Sequence, residues 1–277
     1  REGGMYACPR SGVRTGNFYD DSTSLLQPSC LRKVCDCYIA FSNLRDTPLR
    51  RMMGEGALWR IPERKKVRAV FFDIDGTLTD VQGRIPGRTV SALKYMSGRL
   101  PLYLSTALPM AHAKKRLGDV FDLFSGGVFA DGGFLCYEDT VECVPVEHPV
   151  ALDFPGCRIT RYTWKGEIFK YAVLAPTVRE ATRLSAGLEG EAYQLYQEGR
   201  LLTVVDSRAG KKNGLMTLCS RLGISLREIL VVGNTMHDWP MMSVAGYSCA
   251  VMDAEEELKK LSGYILNPDS IPVFFDI

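Results

Sequence analysis

The sequence predicts an α/β fold: a parallel-sheet core flanked by helices, an α+β cap inserted in it, and a small cysteine-containing extension in front. Three observations carry this. From Val67 onward, short runs that are apolar on both faces alternate with helical patterns, as a parallel sheet covered on both sides requires. That rhythm breaks between residues 131 and 206. Residues 1–66 differ in composition from everything that follows.

The front segment, residues 1–66, carries 12 Lys or Arg against 7 Asp or Glu, whereas residues 67–277 carry 22 against 25. It is rich in Gly, Ser, Asn and Arg and lacks sustained periodicity, so it reads as a loop-rich module. Four of the nine cysteines fall here: Cys8, Cys30, Cys35 and Cys37. Four thiolates suit Zn²⁺ or an iron–sulfur cluster. Their spacing does not form paired C-x₂-C knuckles, and four unligated thiols in a loop-rich extension are the alternative.

VRAVFFDID is a buried strand, and RTVSALKYMSGR places Val90, Leu93 and Met96 at helical spacing. PLYLST is a second buried strand. RITRYTW and EIFKYAVLA alternate like antiparallel strands, PTVREATRLSAGLEG is an amphipathic helix, and EAYQLYQEGRLLTVVD is a hairpin turning near Gly199. KNGLMTLCSRLGI aligns Leu215, Leu218 and Leu222 on one helix face. EILVVGN, AGYSCAVM and GYILN are the closing strands, with the helix DAEEELKKLSG before the last. The expected division is residues 1–66, a core of 67–130 with 207–277, and a cap of 131–206 that would close over a site.

The 277 residues carry a net charge of +2, so nothing at whole-chain level calls for a polyanion. The basic residues of the front segment are dispersed, and nucleic acid is not an expected partner. No apolar run approaches the roughly 20 residues that span a bilayer. The five later cysteines read as reduced core thiols, which suggests a cytoplasmic protein. Oligomeric state is left open.

Asp73 and Asp75 stand where the first strand ends. In a parallel sheet, ligands bind beyond the carboxyl ends of strands. Residues two apart on an extended strand face the same way, and two neighbouring carboxylates repel unless a cation or proton lies between them. A hard cation such as Mg²⁺ prefers oxygen ligands shared with a substrate phosphate, and a carboxylate can attack phosphorus. Gly76 permits a tight turn whose neighbouring N–H groups, such as that of Thr77, would face phosphate oxygens. A plain strand-end turn with hydrated acids is the alternative. Three further strand ends bear on the choice. Thr106 ends PLYLST, where its hydroxyl would hold a phosphoryl oxygen or cap a helix. Lys211 and Lys212 open a helix against its dipole and so call for an anion or solvent. Asn234 and Asp238 follow EILVVG, where Asp238 would complete a cation site or cap a helix.

In this order the residues resemble the haloacid dehalogenase-like (HAD) phosphohydrolases, and more narrowly their Cof-like, subfamily IIB branch with an α/β cap on a Rossmann-like core. The motif Asp73-Ile-Asp-Gly-Thr-Leu-Thr79 matches the family's first motif in full; Thr106, Lys211 and GNTMHDWPMM stand at the second, third and fourth. VFADGGFLCYED resembles the entry to the cap. The resemblance implies a Mg²⁺-dependent phosphatase. Asp73 would attack phosphorus and Asp75 serve as acid and base. Asp73, the Asp75 carbonyl and Asp238 would hold Mg²⁺, and Thr106 and Lys211 would hold the phosphoryl group, with Gly76, Thr77 and Asn234 lining the substrate. Two positions depart from the pattern. Asn234 replaces an aspartate, and Ala107–Leu108 replaces Gly-Arg.

The implied substrate is a small phosphorylated metabolite, a sugar phosphate by default. A phosphomutase, or a binding module with blunted chemistry attached to a metal-cluster segment, are the other readings. In the front segment, GNFYDD…SCLRKVCDCYI is similar to the SPASM-like tail that carries an auxiliary cluster in some radical-SAM proteins.

Overall fold

The computed structural model describes residues 67–148, 155–188, 190, 192–275 and 277. The front segment lies outside the described residues, and with it Cys8, Cys30, Cys35 and Cys37 and the zinc or iron–sulfur site expected of them.

The strands in chain order are β1 (Ala69–Phe72), β2 (Leu102–Ser105), β3 (Gly126–Phe129), β4 (Phe134–Tyr137), β5 (Thr140–Cys143), β6 (Arg158–Trp164), β7 (Glu167–Leu174), β8 (Tyr193–Glu198), β9 (Leu201–Asp206), β10 (Ile229–Gly233), β11 (Tyr247–Ala250) and β12 (Tyr264–Ile265). Eight of them form one sheet in the order β12-β11-β10-β1-β2-β3-β4-β5. All neighbours from β12 to β3 are parallel, so the parallel α/β core is present as expected. β1 lies near its middle, and each of its four residues is fully buried because both faces are covered. Burying one such phenylalanine contributes about 1.5–3 kcal/mol, and Phe71 and Phe72 point to opposite faces.

Residues 134–143, which the sequence rhythm places in the insert, extend this same sheet. β4 pairs antiparallel with β3, and β5 with β4. The chain reverses through Ala130, Asp131 and Gly132, all at positive φ, so no crossover connection is needed. At Gly132 a Cβ would lie 2.3 Å from the Gly210 carbonyl oxygen, so glycine is needed for the backbones to meet there.

Helices cover the sheet: α1 (Gly87–Ser97), α2 (Met110–Leu117), and, after the smaller unit's α3 (Val178–Leu188), α4 (Lys211–Leu222), α5 (Trp239–Met242), α6 (Glu256–Leu261) and α7 (Ile271–Phe274). α4 buries Leu215 and Leu218 and ends at Gly223, whose φ of 62° closes it in a left-handed cap.

The second sheet is wholly antiparallel, in the order β6-β7-β9-β8. Helix α3 lays Leu184 and Leu188 against Tyr171, Val173, Leu202 and Val204. At the joint with the larger sheet, Trp164 meets Phe134 edge-on at 5.4 Å, and Tyr162 meets His112 at 5.8 Å. Both aromatics are packing groups.

Cys143, Cys157, Cys219 and Cys249 are free thiols. Among the described residues no helix is long and apolar enough to cross a membrane.

Candidate active site

β1 ends at Phe72, one residue before the first acid. The chain then tightens into a turn around one acceptor: the N–H groups of Thr77, Leu78 and Thr79 all point to the Ile74 carbonyl, at 3.3, 2.9 and 3.1 Å. The Thr79 hydroxyl donates to the same oxygen and accepts from the Gly76 N–H. Gly76 has φ 79°, and a Cβ there would stand 2.2 Å from Asn234 Nδ2. Strand alternation therefore stops before it can align the acids. Asp73 is buried and Asp75 is half-exposed, where Arg116 of α2 approaches it at 3.5 Å. The Gly76 and Thr77 amides, expected to face phosphate, are spent inside the turn. Thr77 instead turns its hydroxyl to Asn234 Oδ1 at 3.2 Å.

The buried acid meets the residues expected of it. Lys211, the first residue of α4, donates to Asp73 Oδ1 at 2.8 Å and to Asp238 Oδ1 at 2.7 Å. Lys212, its neighbour, is exposed. Asp238 is fully buried, and its Oδ2 accepts from the N–H groups of Asn234 (2.9 Å) and Thr235 (3.2 Å). Thr106 is buried one residue past β2, and its hydroxyl accepts from the Leu108 N–H at 3.1 Å. β2 is the strand beside β1, with Leu104 opposite Phe72. Asp73, Lys211 and Asp238 are thus in direct contact at the carboxyl edge of the sheet, and Thr106 stands on the adjoining strand end.

The electrostatics follow from one lysine serving two carboxylates out of water. Burial pushes the Asp73 carboxyl up to about 7. Lys211 draws it down and Asp238 raises it further. Burial works against the Lys211 ammonium, yet Asp238 and Asp73 outweigh it and hold its pKa above the usual lysine value. Once Asp73 loses its proton, two carboxylates share the one ammonium of Lys211, a setting that favours a further cation.

That donor chemistry fits a hard divalent ion at Asp73. Both Asp238 oxygens are already engaged, however, and no group of three His, Cys, Asp or Glu positioned for a metal occurs among the described residues. Asn234 adds a neutral side-chain oxygen to this end of the sheet, where it accepts from the Thr77 hydroxyl at 3.2 Å.

The smaller sheet reaches the same edge. A cavity of about 250 Å³ runs from Lys211 and Lys212 to Gln194 and Tyr196 of β8 and to His237. The Tyr196 ring stands 5.6 Å from the His237 imidazole. Burial, then Asp131, pushes the Tyr196 hydroxyl above its usual range. Lys170 of β7 bonds to Asp131 and to the Ala107 carbonyl. Sequence reasoning missed Arg116, Asp131, Lys170 and Tyr196. A signal existed for Lys170: a lysine in mid-strand between Phe169 and Tyr171 needs a buried partner.

A family model described as haloacid dehalogenase-like hydrolase matches residues 175–270. The chain is 30% identical over 213 residues to the phosphoglycolate phosphatase of Archaeoglobus fulgidus, covering 74% of this chain and 92% of that protein. It is 27% identical over 215 residues to the phosphoglycolate phosphatase of Methanothermobacter thermautotrophicus, covering 72% and 91%. Among solved structures it is similar to a haloacid dehalogenase-like hydrolase from Bacteroides thetaiotaomicron, with a TM-score of 0.64 at 19% identity over 76% of this chain and 97% of that one. It is also similar to a HAD subclass IIB sugar phosphatase, with a TM-score of 0.62 at 18% identity over 76% and 97%.

Proposed function

The chain belongs to the haloacid dehalogenase-like hydrolases, phosphoric monoester hydrolases among them, and from that premise we propose a Mg²⁺-dependent phosphatase acting on a small phosphorylated acid through an aspartyl phosphate. One observation carries the reading: Lys211 clamps Asp73 against Asp238 at the end of β1, leaving one carboxylate oxygen of Asp73 outside the clamp. Asp73 attacks phosphorus in line; the Asp73–phosphorus bond forms as the bond to the leaving oxygen breaks. Asp75, on the wetter side of the turn, gives that oxygen its proton. It then takes one from the water that cleaves the aspartyl phosphate, releasing phosphate and restoring Asp73. Thr106 and Lys211 hold phosphoryl oxygens. Asp238 keeps Lys211 in place and fixes the amides of Asn234 and Thr235. Bound Mg²⁺, held by Asp73, the Asp75 carbonyl and the Asn234 amide oxygen, would offset the gathering negative charge.

The cavity beside Lys211 supports a small, anionic leaving group. It is lined by Lys212 and His237 and by no acidic side chain, and 250 Å³ is below the usual range for drug-sized ligands. A carboxylate such as that of phosphoglycolate, the substrate named for the two relatives, suits it. The test is Mg²⁺-dependent phosphate release from phosphoglycolate and from a hexose 6-phosphate. Faster release from phosphoglycolate, abolished by Asp73→Asn, is expected. Equal or faster turnover of the hexose phosphate refutes the substrate class, and full activity in Asp73→Asn refutes the mechanism.

A further inference from the structure

Two lysines are buried among the described residues, Lys170 and Lys211. The mechanism uses Lys211. Lys170 comes from the other sheet yet ends at the same edge. Its Nζ donates to the Ala107 carbonyl at 2.7 Å and to Asp131 Oδ2 at 3.0 Å. Ala107 directly follows Thr106. Asp131 does more than pair with it. Its N–H donates to the Thr106 carbonyl at 3.2 Å, and its own carbonyl accepts from the N–H of Gly210, the residue before Lys211, at 2.6 Å. One residue therefore joins the backbones that carry both phosphoryl-holding side chains, and Lys170 fixes its carboxylate.

Asp131 has φ 55° and ψ 38°, a left-handed conformation that a non-glycine residue keeps only when its surroundings impose it. The lysine is costly as well. Between Phe169 and Tyr171 an apolar side chain would fill the same place without desolvating an ammonium, and buried ion pairs are often replaceable in that way. Stability alone does not call for this pair.

We propose that Lys170 is a positioning residue for the phosphoryl-transfer site: it ties β7 to Ala107 and Asp131, and so sets the Thr106 hydroxyl and the Lys211 ammonium relative to each other while the smaller sheet is seated. The inference rests on the phosphatase reading for its chemistry, but not for its geometry.

The test uses the full chain. Lys170→Met alone strands a buried carboxylate, so it is paired with Asp131→Asn, which leaves no charge in the site. Two readouts are taken: hydrogen exchange of the amides in 105–108 and 208–211, and steady-state hydrolysis of p-nitrophenyl phosphate with Mg²⁺. In the double variant those amides should exchange at least tenfold faster while β10 and β11 keep their native rates. The kcat should fall at least tenfold with KM within threefold. Native exchange in both segments overturns the proposal, as does native kcat. A native chain inactive toward p-nitrophenyl phosphate sinks the phosphatase reading instead, and the exchange result then decides the positioning role by itself.

Discussion

Replacing Asp73 with asparagine should make the protein less sensitive to alkaline pH, and the size of the effect follows from the site. The Asp73 carboxyl titrates at about 7 in the folded protein against 3.8 for an ordinary aspartate, because burial outweighs the pull of Lys211 and Asp238 adds to it. Lys211, held above its usual value, stays protonated over this range. Between those two values the folded protein keeps a proton that the unfolded chain releases. Its pKa is raised, so the associated stability is complete at low pH and is lost as pH climbs towards 7. Roughly 3 pH units at about 1.4 kcal/mol each give about 4 kcal/mol in total. From pH 5 to pH 8 the share is about 3 kcal/mol. Urea unfolding in EDTA at these two pH values reads it directly, since every other titrating group is common to both proteins. The native chain should lose about 3 kcal/mol more than Asp73→Asn. A difference under about 1 kcal/mol would show that Asp73 is not desolvated beside Asp238, and the electrostatic account of the site would fail.

Two other substitutions test the same edge of the sheet. Gly76→Ala forces a Cβ to within 2.2 Å of Asn234 Nδ2 at φ 79°; a loss of about 1–3 kcal/mol in urea unfolding is expected, with a fall in kcat as Asp75 shifts. Asn234→Asp adds a carboxylate at the residue whose N–H already bonds Asp238. Calorimetric titration with Mg²⁺ should show binding roughly tenfold tighter, a gain of about 1.4 kcal/mol, and an unchanged affinity would exclude residue 234 from the cation site.

Much of this protein is written locally. Runs such as AVFF and ILVVG can be stable only with both faces covered, so the parallel core was legible before any coordinates. Asp73, Thr106, Lys211 and Asp238 could be picked out as candidates too: two polar residues directly follow buried strands, a lysine opens a helix against its dipole, and an acid begins the helix after β10. Three-dimensional packing decided the rest. Periodicity reports which faces of a segment are apolar, not which sheet it joins, so β4 and β5 read as insert although they extend the core. Strand alternation placed Asp73 and Asp75 side by side, but a turn around the Ile74 carbonyl buried one and exposed the other. Lys170 and Asp131 lie 39 residues apart. A pair that distant interacts only after the chain has folded back, which no local pattern encodes.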